Sequence, residues 1–375
     1  MRIAVNTRLL LPQYMEGIGR FCHEILSRWV SENPQVEFFF LFDRDFDNKF
    51  IYGEHVKGIK LWPPARHPFL YPIFFEWAVA RFLKRQKCDI FVSMDGFNCL
   101  RSPTKTLLVI HDLAYLQHQN HTSWLSQKYY EFFVPKYLKK ADKIVTVSEY
   151  SKQDLGLKLG INSQKIALVY NGVNNLYQPL DLEQKTSIKA RFSGNKPYFI
   201  FVGSIHPRKN LVRQLLAFDA FKQKTGADMQ FLVVGRMAWN NSELKTVIAE
   251  LKYSQDIVFL GYQDSDILPQ LLGAAFALCY VSLFEGFGVP IAEAVACEIP
   301  VICGNNSSMP EVLGKAGYLV DAENVAQIAT AMQTLYEQPE LYARCVANAR
   351  AQKNRFAWDK SAAQFWDILL QTVQG

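Results

Sequence analysis

The sequence predicts an α/β protein of two doubly wound, Rossmann-like domains. Short apolar runs rich in β-branched and aromatic residues alternate with longer helical patterns, as in parallel sheets with crossover helices. The series restarts after a polar stretch, residues 171–196, that ends at Pro197. A length of 375 residues suits two domains of ~100–200 residues each. Hydrophobic residues make up 49% and charged residues 20% of the chain, which excludes disordered, fibrous and low-complexity classes.

In chain order, the first half predicts strands over residues 2–5, 36–42, 89–93, 106–110, 143–147 and 166–169. The second half predicts strands over 198–202, 230–234, 256–260, 276–281, 300–303 and 318–320. Residues 182–192 read as a helix inside the polar stretch. The longest charge-free run, residues 267–284, contains Pro269, Gln270 and Ser282 and splits into a helical and a β-rich part. It reads as buried core and not as a membrane span.

Seven cysteines are scattered through apolar contexts with no C-x-x-C, which argues for reduced thiols in a cytoplasmic compartment and against a zinc site. The N-terminus runs directly into a strand pattern with no signal peptide, so export is not expected. Residues 1–178 carry 23 Lys and Arg against 16 Asp and Glu, and residues 179–375 carry 18 against 19, so the basic excess lies in the first half. Part of it interleaves with aromatics from Trp62 through Tyr71, Arg81, Lys84, Arg85 and Lys87. More lies between Lys128 and Lys143, among Tyr129, Tyr130, Phe132, Phe133 and Tyr137. Such a mixture suits an anionic membrane surface, and equally a solvated face over buried aromatics. Nucleic acid is disfavoured by the modest charge and the lack of a binding motif.

The strongest local signal runs from Ser282 to Glu293 (SLFEGFGVPIAE), between a buried strand and a helix. Gly286 and Gly288 allow close backbone approach to a ligand, and Pro290 suits a first helical turn. The helix N-terminus faces the crevice at the strand ends and favours an anion such as phosphate. Glu285, in the loop, and Glu293, in the first helical turn, can only accept hydrogen bonds when ionised, so they suit hydroxyl groups; phosphate and hydroxyls together suggest a sugar nucleotide. The plainer alternative is a tight turn with a glutamate favoured by the helix dipole.

The second signal runs from Gly203 to Asn210 (GSIHPRKN), directly after the first strand of the second domain. Arg208 and Lys209 can offset the charge of a diphosphate and stabilise it as a leaving group, or can be merely solvated; Asn210 is a candidate helix cap. In the first domain, Glu16-Gly17-Ile18-Gly19-Arg20 departs from the dinucleotide fingerprint because Cys22 stands at its third glycine position, which disfavours NAD. A flexible loop reaching toward phosphate fits Gly17 and Gly19. His111 and Asp112 emerge from the strand ending at Ile110, either into the crevice or as a core histidine and a helix cap.

Together these residues resemble the retaining glycosyltransferases of family 4, the group 1 transferases with the GT-B fold. Glu285-x7-Glu293 is the most specific element. Arg208-Lys209-Asn210, Gly17-Ile18-Gly19-Arg20, His111-Asp112-Leu113, residues 147–152, Tyr170-Asn171-Gly172-Val173 and residues 308–312 match in the family's order. The resemblance implies an acceptor-binding domain over 1–178 and a nucleotide-sugar domain over 179–356, facing each other across a cleft, with a helix in 357–375 returning to the first. It implies that Arg208 and Lys209 hold the diphosphate, Glu293 the ribose, and Glu285 with the Phe287 and Gly288 amides the donor sugar. Gly203, Ser282 and Val289 line the donor site, Tyr262 neighbours the base, Gly17 and Gly19 close over the phosphates, and His111 lies near the sugar. Front-face attack with the leaving phosphate as base implies no protein nucleophile, no metal and no cofactor.

The resemblance further implies a nucleoside diphosphate sugar as donor and a glycan or polyprenyl-diphosphate-linked acceptor in bacterial surface polysaccharide synthesis; the cysteines and the basic, aromatic segments add the expectation of a cytoplasmic enzyme, or one peripheral on the inner membrane face. His206-Pro207 and Arg236-Met237-Ala238-Trp239 resemble members that use GDP-mannose, and Asn174 replaces the acidic residue usual after the Asn-Gly-Val turn. A UDP-sugar donor, a GT-B-like sugar-nucleotide epimerase and a non-catalytic sugar-nucleotide-binding protein are the alternatives. So is a metal-dependent transferase using Asp43-Arg44-Asp45 after the strand 36–42, which the two-domain repeat argues against.

Overall fold

The computed structural model describes all residues except 13–16, 118–123 and 238–241. Glu16 of the glycine-rich segment and Ala238 and Trp239 of the GDP-mannose-like segment therefore lie outside the described residues. The chain divides into two compact units, Met1–Gly172 with Trp358–Gly375, and Val173–Ala357. Residues 173–178 group with the second unit, where the Val173 N–H donates to the Phe356 carbonyl at 3.1 Å.

The first unit contains β1 (Arg2–Asn6), β2 (Glu37–Phe42), β3 (Val56–Lys60), β4 (Ile90–Ser93), β5 (Lys105–Ile110), β6 (Lys143–Thr146) and β7 (Ile166–Leu168). They form a seven-stranded sheet in the order β3-β2-β1-β4-β5-β6-β7, parallel throughout. Strands covered on both faces read as continuous apolar runs, as EFFFLF in β2 does. Sequence periodicity passes over β3, VKGIK, because it is an edge strand paired only with β2 and carries two lysines outward. Lys57 pairs with Glu37 at 2.6 Å and Lys60 with Asp45 at 2.7 Å.

The helix Trp358–Gln374 packs on Gly17–Glu32 of the same unit. The buried Trp29 indole donates to the Ala362 carbonyl at 3.0 Å, with the Phe365 ring 4.8 Å away, and Arg28 meets Asp359 at 2.6 Å.

The second unit contains β8 (Tyr198–Val202), β9 (Gln230–Val234), β10 (Ile257–Gly261), β11 (Ala277–Tyr280), β12 (Val301–Gly304) and β13 (Gly317–Val320). Its six-stranded sheet has the order β10-β9-β8-β11-β12-β13, again parallel. Both sheets thus start at a central strand, wind out to one edge and resume on the other side. The strand order reverses between β1 and β4 in the first unit and between β8 and β11 in the second. Such switch points open a crevice at the C-terminal ends of the strands, where open α/β sheets bind ligands. Residues 267–284 supply the helix Leu268–Gly273 and β11, with Leu271, Leu272 and Cys279 fully buried. Among the described residues no helix is long and apolar enough to cross a membrane.

Beyond β8 and β9 two glycines touch back to back. Gly235 has φ +152°, and a Cβ there would stand 1.8 Å from the Gly203 carbonyl oxygen. Gly235→Ala should therefore cost about 3 kcal/mol or more of stability, from the backbone shift it forces. A chemical-denaturation midpoint equal to that of the unsubstituted chain would show that the two loops do not meet.

Candidate functional site

The second unit's switch point is built from the two loops that leave β8 and β11. After β8, Gly203 turns the chain at φ +147° and Pro207–Lys209 forms one 3₁₀ turn. His206 starts that turn in an extended conformation, its Nδ1 accepting the Arg208 N–H at 3.2 Å, while Pro207 supplies the first-turn φ. Asn210 follows at φ 58° and opens the helix Leu211–Thr225. Its side chain does not cap that helix as the sequence suggested. Its amide donates to Val281 O at 3.0 Å and Ala322 O at 2.7 Å, tying the β8 loop to the chain beyond β11 and β13.

The β11 loop brings Glu285 onto this turn. The Glu285 Oε1 accepts from Lys209 Nζ at 2.7 Å and Oε2 from Arg208 Nη1 at 3.2 Å. Lys209 also donates to the Tyr280 hydroxyl at 2.6 Å, and Arg208 to Phe284 O at 2.6 Å. The Leu283 N–H donates to Arg208 O at 2.9 Å, so backbone as well as side chains join the two loops. From the other side, Ser307 Oγ accepts the Glu285 N–H at 3.0 Å and Ser308 Oγ donates to Glu285 O at 2.9 Å.

Glu285 is only 6% exposed and Lys209 only 9%. Burial alone would raise the Glu285 pKa, but the Lys209 ammonium, then Arg208, outweigh it and lower the pKa to about 2. Glu285 is therefore a carboxylate at any physiological pH. It can accept from hydroxyl groups but cannot donate a proton. Within this cluster two cations face one carboxylate, a positive balance that suits an anionic ligand. Burial, and after it the Glu285 charge, push the Tyr280 phenol well above its ordinary value, so it stays protonated.

Gly288 (φ 95°) precedes the helix Val289–Ala296, and Pro290 stands in its first turn. Glu293, buried at 5%, lies in the second turn and not the first, so the helix dipole does not account for it. Phe287 is buried with its ring edge-on to Phe356 at 5.2 Å, and Ser282 is fully buried. Tyr262, just past β10, is 58% exposed at the end of its strand. Gln214 escaped the sequence reading: fully buried, it donates to the Lys209 carbonyl at 2.8 Å and steadies the 3₁₀ turn.

The remaining sequence candidates lie in the first unit. Gly17 and Gly19 do not form a loop; both sit in the first turn of the helix Gly17–Glu32. His111 sits at the end of β5, and its Nε2 donates to the Met94 carbonyl at 2.9 Å, which makes Nδ1 the acceptor of the neutral ring. Burial lowers its pKa. The Asp112 carboxylate accepts the Ala114 N–H at 2.9 Å and caps the short helix Ala114–Gln117.

A network missed in the sequence fills this unit's switch point. The Asn6 amide donates to Ser93 Oγ at 2.9 Å and Asp95 Oδ1 at 2.8 Å, while Arg8 pairs with Asp95 and lies 4.0 Å over the Phe97 ring. Asp43 is buried against Arg44, whereas Asp45 is exposed against Lys60, so the two do not converge. Among the described residues no cluster of three or more His, Cys, Asp or Glu side chains is arranged to hold a metal.

Comparison with known proteins follows the division into units. Residues 183–352 match the family model for glycosyl transferases group 1, and residues 15–175 match that for glycosyltransferase family 4. The chain is 25% identical to the O-antigen chain mannosyltransferase B of Escherichia coli over 373 residues, covering 93% of this chain and 94% of that protein. It is 25% identical to the O-antigen chain mannosyltransferase RfbU of Salmonella typhimurium over 281 residues, 74% of this chain and 73% of the other. Anabaena Alr3699/HepE, solved in complex with UDP and glucose, superposes with TM-score 0.78 at 19% identity, covering 99% of this chain and 100% of that one. WaaG, a glycosyltransferase involved in lipopolysaccharide biosynthesis, superposes with TM-score 0.78 at 14% identity, covering 98% and 99%. At these identities the two structures establish the shared fold.

The Glu285 cluster has a pH signature. A carboxyl whose pKa falls on folding stabilises the native state above its unfolded value, near ~4.3, and loses that stabilisation as pH falls toward 2. Glu285→Gln should therefore cost about 3 kcal/mol at neutral pH, with the deficit shrinking below pH ~4. Chemical denaturation of both proteins across that range checks it, and a deficit constant with pH would show that Glu285 is not ionised in the pair.

Proposed function

The chain belongs to the group 1 glycosyltransferases of family 4, and from that premise we propose that it transfers mannose from GDP-mannose to a glycan or polyprenyl-diphosphate-linked acceptor, with retention of configuration and without a metal ion. The observation that carries the reading is the buried Lys209–Glu285–Arg208 cluster at the β8/β11 switch point. Its positive balance suits the diphosphate of a nucleotide sugar, and the permanently ionised Glu285 suits a sugar hydroxyl. The relatives named as O-antigen mannosyltransferases support mannose as the sugar and bacterial surface polysaccharide as the destination. Seven free, buried cysteines support a cytoplasmic setting.

In this reading the bond from the sugar C1 to the leaving phosphate oxygen breaks as the acceptor hydroxyl attacks the same face. The acceptor proton passes to the leaving diphosphate, so no protein base is required. Arg208 and Lys209 stabilise the charge that grows on the diphosphate, which is where fixed cations lower the barrier most. Glu285 holds those cations in place and the donor sugar in register. Glu293 takes the ribose hydroxyls, and Gly203, Ser282, Phe287, Gly288 and Val289 shape the donor site, with Tyr262 beside the base. From the family resemblance, His111, its neutral Nδ1 the acceptor, and Gly17 and Gly19, at a helix start, are the first unit's candidate donor contacts.

Ligand binding raises thermal stability by mass action, so a melting panel of GDP, UDP, ADP, dTDP and NAD with EDTA present tests the donor directly. A shift with GDP alone that survives EDTA is expected. A shift with UDP alone changes the donor, a shift that requires metal overturns metal independence, and a shift with NAD alone overturns the transferase reading.

Lys209→Ala should lower kcat/KM by a factor of roughly 10²–10³, the effect of removing one charged contact to a developing anion. Steady-state transfer assays check it, and activity within a few-fold of the unsubstituted enzyme would show that Lys209 does not face the diphosphate.

A further inference from the structure

Two helices of the first unit carry exposed aromatic residues in register with basic ones. The first spans residues 70–86 as a continuous helix whose middle, Ile73–Val79, is π-helical. Phe74, Phe75, Ala78, Val79, Phe82 and Leu83 are buried on one side. Phe69, Ile73, Trp77, Arg81 and Arg85, spaced by four, are exposed on the other. A π-segment winds more slowly than 3.6 residues per turn, so side chains four apart stay aligned along the stripe. Phe69 is 69%, Ile73 46% and Trp77 57% exposed, a large apolar surface to leave in water. The helix's one acid, Glu76, is turned inward to accept the N–H groups of Leu100 and Arg101 at 2.9 Å each.

The second helix, Trp124–Lys140, repeats the spacing with Trp124, Lys128, Phe132 and Lys136 exposed, and Lys139, three residues on, is exposed as well. Phe132 is 55% exposed, and the Lys136 ammonium lies 3.2 Å from its ring centroid. Glu131 pairs with Lys128, so the uncompensated charge here is that of Lys136 and Lys139. Both helices pack into one core against the same side of the sheet, and Tyr71 of the first meets Tyr129 of the second at 5.1 Å. The two exposed stripes therefore look away from the same sheet face.

We propose that these stripes form a docking face for an anionic lipid bilayer. Phe69, Ile73, Trp77 and Phe132 sit at headgroup depth, where aromatic rings partition, and Arg81, Lys84, Arg85 and Lys136 neutralise lipid phosphates. The chemistry favours a bilayer over a second copy of the chain, because face-to-face association would set basic stripes against each other with no exposed acid on either stripe to answer them. The inference stands apart from the transfer reaction, since binding to lipid requires neither donor nor acceptor.

Flotation of the full chain with phosphatidylcholine vesicles, with and without phosphatidylglycerol, tests it. Partition onto the phosphatidylglycerol vesicles, weakened by salt, is expected. The Arg81→Gln/Lys84→Gln/Arg85→Gln variant should partition on the order of a hundredfold less, because each basic residue contributes about fivefold at such a surface. Trp77→Ser/Phe132→Ser should also reduce partition, with only a small fall in melting temperature because more than half of each side chain is exposed. Failure of the unsubstituted chain to partition, or equal partition by both variants, overturns the proposal. So does concentration-dependent dimerisation, measured by sedimentation, that the variants abolish while no vesicle binding is seen. Transfer to a water-soluble acceptor, measured on the same variants, separates loss of docking from loss of catalysis.

Discussion

The second unit's site depends on one buried carboxylate shared by two cations. Arg208 and Lys209 leave β8 and Glu285 leaves β11, and beyond the bonds of Asn210, Gln214, Ser307 and Ser308 to backbone it is their charges that bring the two loops together. The 3₁₀ turn at Pro207–Lys209 is a single turn of helix, and the Ser282–Gly288 loop has two glycines in its last three residues. What fixes them is the mutual need of buried charges: a carboxylate out of water must be paired, and so must an ammonium. Removing Glu285 would take the shared carboxylate from both cations, leaving Lys209 on the Tyr280 hydroxyl and Arg208 on the Phe284 carbonyl.

The meeting of the two loops is set by topology. Where the strand order reverses, the crossover helices leave toward opposite edges and the loops after the two central strands stand side by side with nothing between them. The second unit fills the gap with Lys209, Arg208 and Glu285 between β8 and β11. The first fills its own with Asn6, Arg8 and Asp95 between β1 and β4. The same crevice thus holds a tightly closed polar network in one unit and a cluster with an anion-favouring balance in the other.

The sequence revealed the fold where burial on both faces left an unambiguous signature. YFIFV at 198–202 and QFLVV at 230–234 are strands with the expected bounds, because a parallel strand sandwiched between helices has no polar side to confuse its period. VKGIK at 56–60 was illegible for the opposite reason: an edge strand must carry charge. Gly17 and Gly19 suggested a loop because glycine disfavours helix interiors, yet at a first turn that penalty is small and the Phe21, Ile25 and Trp29 face behind them decides the outcome. At the site, Arg208, Lys209 and Glu285 were legible as motifs, but their meeting was not. Nor could spacing suggest the Arg8–Asp95 pair, whose partners are far apart in the chain and adjacent only through the β1/β4 register.

The charge state of the cluster constrains the chemistry more than its shape does. A carboxylate held ionised down to about pH 2 cannot protonate a leaving group, and one whose two oxygens already accept from Lys209 and Arg208 makes a poor nucleophile toward a sugar carbon. Tyr280, pushed in the other direction, is no base at neutral pH. Glu285 and Tyr280 are therefore a fixed charge and a fixed donor, neither of them poised to move a proton between pH 5 and 8. A site of that kind works by holding charge where the reaction creates it, and it leaves proton movement to the reactants. A diphosphate leaving group brings its own base, which is why this arrangement suits transfer from a nucleotide sugar better than a sugar-nucleotide epimerisation, where protein acid and base residues must act on the sugar itself.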